Sequence, residues 1–87
     1  MPEQPNNIKL RRLRSGDLAA ALTCTEDMLR IAPDTAPLWR EAGTLHQRLD
    51  QAAAALRCYE RFLALTPGGD AASSTRAAVE ALKSRLA

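Results

Sequence analysis

The chain contains itself twice. Residues 17–33 (DLAAALTCTEDMLRIAP) and 51–67 (QAAAALRCYERFLALTP) align without gaps and share 8 identities in 17 positions. The shared pairs are Ala19/Ala53, Ala20/Ala54, Ala21/Ala55, Leu22/Leu56, Cys24/Cys58, Glu26/Glu60, Leu29/Leu63 and Pro33/Pro67, an offset of 34 residues. A period of this length is that of a stacked helical solenoid. Its units cannot bury their apolar faces alone, so each needs a neighbour.

Composition agrees with close-packed helices. Hydrophobic residues make up 46% of the 87, but Trp, Tyr and Phe occur once each, so the apolar content is mostly Ala and Leu. Val occurs once and Ile twice, which argues against a sheet. A chain this short buries about 60–65% of its unfolded surface, leaving little for a deep catalytic pocket. The net charge of +2 is too small to imply nucleic acid. No apolar run approaches a membrane span. The opening MPEQPNN is polar and contains proline, unlike a secretory leader. With two cysteines and no such leader, the expected compartment is the reducing cytoplasm.

Helical punctuation is clear along the chain. Pro2 and Pro5 keep the first residues irregular, and NIKLRRLR from about residue 7 can form a short helix. Gly16 is expected to end it and Asp17 to favour the next start. A second helix spans about 18–32, with Leu18, Ala21, Leu22, Met28 and Leu29 on one stripe and Pro33 closing it. Asp34 or Thr35 can cap a third, with Pro37 in its first turn. Its inner face is Leu38, Trp39, Ala42, Leu45, His46 and Leu49, and Asp50 breaks it. A fourth covers about 51–65, with Ala52, Ala55, Leu56, Tyr59, Phe62 and Leu63 inward. After Pro67-Gly68-Gly69, a last helix over about 71–86 carries a narrow stripe of Val79, Leu82 and Leu86, as a terminal cap requires.

At these spacings residues 36–67 resemble a tetratricopeptide repeat, with Trp39, Ala42-Gly43, Ala55, Tyr59, Phe62 and Pro67 at the signature positions. His46 replaces an aromatic usual there. Residues 16–33 fit the second helix of the same motif, whereas Pro5 and Lys9 stand where an aromatic and a glycine are expected. The resemblance implies an all-α, right-handed antiparallel helix-pair stack in one domain, 1–87. Repeat 1 lies at about 6–33 with a degenerate first helix, repeat 2 at about 36–67, and a capping helix at about 70–86. NNIKLRRLRSGDLAAAL, EDMLRIAP and LWREAG also resemble the C-terminal tail of SirB-type bacterial transglutaminase-like proteins. The catalytic domain of that type is not recognisable here.

In stacks of this kind the first helices line a concave groove. The resemblance places Asn6, Leu10, Leu13 and Arg14 there from one helix and Arg40, Thr44, Gln47 and Arg48 from another, with Ala78 and Ala81 as a shallow floor. This mildly basic, partly apolar groove would suit a protein or peptide with acidic and aliphatic residues. A carboxylate clamp found in some relatives is not matched, because Leu10, Glu41, Ala71 and Thr75 occupy its positions. Lys9, Arg11, Arg12 and Arg14 surround one short helix rather than forming a stripe, which favours a solvated or partner-facing helix over a nucleic-acid or membrane patch, an acidic partner being the functional version of the signal.

Cys24, His46 and Cys58 lack zinc-ligand spacing, and the two cysteines, one repeat apart, are expected to pack in or beside the core without a disulfide. His46 and Trp39 are expected in the core. No nucleophile–base pairing or phosphate loop stands out, so neither catalysis nor a cofactor is expected. Three readings stay open: an adaptor, the docking tail of a transglutaminase-like protein, and a self-associating module.

Overall fold

The computed structural model describes residues 15–86, and the 7–14 helix expected from the sequence lies outside them. Four α-helices follow in order: α1 (Ser15–Ile31), α2 (Ala36–Arg48), α3 (Ala52–Leu65) and α4 (Asp70–Leu86). Each packs on the next in the chain, α1 on α2, α2 on α3, α3 on α4. The fold is all-α, as the repeat requires.

Two apolar clusters hold the stack. Leu22, Leu29, Ala42 and Cys58 join α1, α2 and α3, with Leu38, Trp39, Leu45 and Leu49 packed against them. Ala55, Tyr59, Val79 and Leu82 join α3 to α4, flanked by Ala52, Leu56, Leu63 and Ala78. Gly43 lets α2 and α3 approach. A Cβ at this position would stand 2.7 Å from both Cδ1 and Cε1 of the Tyr59 ring.

The turns explain the boundaries. Thr35 is the N-cap of α2, without a side-chain capping bond, and Pro37 sits in its first turn. Asp50 takes the left-handed conformation, φ 62°, between α2 and α3. Gly16, expected to act likewise one repeat earlier, instead lies inside the first turn of α1, and Asp17 follows it there rather than capping. The carbonyl of each repeat-closing proline is taken by a side chain from the next helix. Trp39 Nε1 donates to Pro33 at 2.7 Å, and the Arg76 guanidinium donates to Pro67.

Several expected core positions differ. Ala21 and Met28 are exposed, Met28 by 45%. Cys24 is exposed although its repeat counterpart Cys58 is buried. Among the described residues α1 packs chiefly on α2, which covers one stripe, whereas α3 is sandwiched between α2 and α4. Leu86 is 49% exposed. In their place Thr25 and Thr75 are buried. Each hydroxyl donates to the carbonyl four residues back, Ala21 at 3.0 Å and Ala71 at 2.7 Å, so neither is left unsatisfied.

Candidate functional site

Arg40, Thr44, Gln47 and Arg48 recur at helical spacing and are all exposed on α2. Tyr59 of α3 orders the middle of this stripe. Its hydroxyl donates to Gln47 Oε1 at 2.9 Å and lies 3.2 Å from Thr44 Oγ1. The Thr44 hydroxyl also donates to the Arg40 carbonyl at 3.1 Å. Gln47 is exposed, and with its oxygen held by Tyr59 its amide N–H₂ remains as a donor. Two guanidiniums and this amide give a face rich in donors, which matches carboxylates and carbonyls. Glu41, also exposed, edges the stripe. Asn6, Leu10, Leu13 and Arg14 lie outside the described residues.

The opposite side of α2 carries Trp39 and His46, each half-buried. Here α1 and α3 leave an open seam over α2, made of two adjoining recesses of about 400 and 450 Å³ that share Glu26, Trp39 and Cys58. His46 knots the seam to the α2–α3 turn. Its Nδ1 donates to Gln51 Oε1 at 2.7 Å, its carbonyl accepts from the Gln51 N–H at 2.8 Å, and its Nε2 lies 3.8 Å from Glu26 Oε2. The packed imidazole expected from the sequence is therefore found, with a polar tether added. Arg61 stands over the Trp39 ring, 5.9 Å from its centroid.

Burial, aided by Glu26 and opposed by Arg57, pushes the Cys58 thiol above its ordinary pKa. The thiol is neutral when folded. The stability tied to that neutrality is intact below the ordinary thiol range. It is lost as pH rises past that range, because the unfolded chain ionises first. One thiol, Cys24, should react promptly with an aromatic disulfide reagent at neutral pH, and Cys58 only as the chain unfolds. Two equally fast thiols would contradict this. Both cysteines are free, and among the described residues no group of three or more His, Cys, Asp and Glu side chains is arranged to hold a metal.

The tetratricopeptide repeat pattern matches residues 8–87, nearly the whole chain, and the chain belongs to that family. Such repeats typically mediate protein–protein contact and are normally non-catalytic, and no catalytic family was found. No curated protein and no solved structure matches. The family match gives no evidence for a transglutaminase-like parent. No helix of the described residues is long and apolar enough to cross a membrane.

Sequence reasoning missed the seam. Trp39, His46 and Cys58 each read as core, and each does pack. Their joint opening to solvent was signalled only by Arg57 and Arg61, spaced i, i+4 beside them in the repeat register.

Proposed function

We propose that the chain is a non-catalytic docking module that holds a partner segment on the α2 face. Its repeats span about 6–33 and 36–67, and residues 70–86 close the stack. The observation that carries this reading is the Tyr59 tether, which fixes Thr44 and Gln47 between Arg40 and Arg48 before any partner arrives. A preorganised surface loses little side-chain freedom on binding. The partner is a protein or peptide with acidic and aliphatic residues, and Asn6, Leu10, Leu13 and Arg14 are proposed as further contacts.

A second reading rests on the residues shared with SirB-type tails. In it, the same face docks onto a transglutaminase-like domain rather than a separate partner.

The test is affinity capture with wild type and Arg40→Glu/Arg48→Glu, both shown to be folded by circular dichroism. A protein retained by wild type at low salt, and reduced about tenfold by the reversal, is expected. An identical set on both folded baits would overturn the assignment to this face.

A further inference from the structure

We propose that the seam between α1 and α3 is a second docking site. It would take an acidic segment of a partner protein that lodges an aliphatic or aromatic side chain against Trp39 and places a carboxylate on Arg57 and Arg61. The floor is apolar, formed by Leu29, Trp39, Ala42 and Cys58. The rim is cationic. Arg57 and Arg61 are exposed one turn apart on α3, about 6 Å between Cβ atoms. Among the described residues Arg57 has no ion-pair partner, and Arg61 is held over the indole. Arg30, on the facing helix, is already paired with Asp27 at 2.9 Å. Glu26, the one acid lining the two recesses, lies 3.8 Å from His46 Nε2 and, among the described residues, forms no ion pair with either arginine. The neutral Cys58 thiol adds no repelling charge to the floor.

Among the described residues, the repeat distinguishes this seam from its counterpart. One period later, Glu60 and Leu63 line the equivalent recess between α3 and α4. There the counterpart of Trp39 is Ser73 and that of Ala42 is Arg76, whose guanidinium is engaged with the Pro67 carbonyl. One period earlier, the counterparts of Arg57 and Arg61 are Thr23 and Asp27. Among the described residues, an aromatic floor and a cationic rim thus coincide at the α1–α3 seam and not at its α3–α4 counterpart. Its open shape suits side chains presented by a polypeptide, since small-molecule sites enclose most of their ligand. The site lies on the face of α2 opposite Arg40 and Arg48 and stands independently of the function proposed above.

The experiment pans a random peptide library on phage against the full chain and titrates enriched, Trp-free peptides while following Trp39, the chain's single tryptophan. The expected peptides carry Asp or Glu beside a large apolar residue and shift Trp39 emission. They should lose affinity about tenfold on folded Arg57→Glu/Arg61→Glu and keep it on Arg40→Glu/Arg48→Glu. The inference is overturned by failure to enrich any peptide, by enrichment without acidic residues, or by binding indifferent to the Arg57/Arg61 reversal. Peptides lost only on Arg40→Glu/Arg48→Glu would also overturn it, while supporting the α2 face.

Discussion

Tyr59→Ala should destabilise the chain by about 3–5 kcal/mol, the usual cost of deleting a buried aromatic ring. That is a large part of the roughly 4–13 kcal/mol expected for a domain of this size. Tyr59 touches three structural tasks at once. Its ring fills the space that Gly43 leaves, its flank joins Ala55, Val79 and Leu82, and its hydroxyl pins Thr44 and Gln47. The sharper form of the prediction is a double-mutant cycle. Gly43→Ala alone should cost about 1–3 kcal/mol, because its Cβ would collide with a ring that the hydroxyl bonds hold in place. In the Tyr59→Ala background the collision is gone. Alanine should then raise stability by up to about 1 kcal/mol through helix propensity. Urea midpoints followed by circular dichroism give each term, with Tyr59→Leu as the background if Tyr59→Ala fails to fold. A penalty for Gly43→Ala that is unchanged in both backgrounds would mean that Tyr59 is not what requires glycine. Tyr59→Phe separates the last task, since it keeps the ring and releases Gln47 and Thr44.

That α2 and α3 approach closely was readable from the repeat signature, through the small residues Gly43 and Ala55; that the Tyr59 ring is what lies against Gly43 was not, because Tyr59 was expected to fill space toward the next helix. The prolines that end each repeat, and the apolar stripes of α2 and α3, were readable as well. Each is a local constraint repeated in register. The misreadings share a different cause. Exposure of Met28 and Cys24, against burial of Phe62 and Cys58, depends on which side of each helix has a neighbour, and the repeat pattern is blind to that. Thr25 and Thr75 were not among the expected inner residues, but bonds within the helix satisfy their hydroxyls and leave a methyl and Cβ to pack. Gly16 looked like a break because glycine permits one. It continues the helix because nothing there demands a positive φ, whereas Asp50 adopts it without being glycine. On the α2 face, the stripe was expected from the resemblance to the repeat family, which assigns first-helix residues to the groove. The tether from Tyr59 crosses between helices and depends on the close approach at Gly43, so no local pattern announces it.

Leu82→Ala is the second large expected effect, a loss of about 2–5 kcal/mol. Leu82 is 1% exposed and lies at the centre of the seam by which α4 covers Ala55 and Tyr59. Among the described residues, the side-chain polar links from α4 to the other helices and turns are few and lie at the surface. Arg85 meets Asp50 at 3.3 Å between exposed side chains, and Arg76 meets the Pro67 carbonyl. An exposed ion pair contributes at most about 1 kcal/mol, so the apolar seam decides whether α4 stays docked. Leu86, on the stripe the sequence drew through Val79 and Leu82, is half exposed, and Leu86→Ala should change stability by no more than about 0.5 kcal/mol. Amide hydrogen exchange on Leu82→Ala reads out how the loss is distributed. In a nearest-neighbour stack the defect falls first on the terminal helix, and α4 amides should lose protection before those of α2. Uniform loss across all four helices would instead mean that α4 is part of one cooperative core with the second repeat. A Leu82→Ala chain as stable as Leu86→Ala would show that α4 is held by something other than this seam.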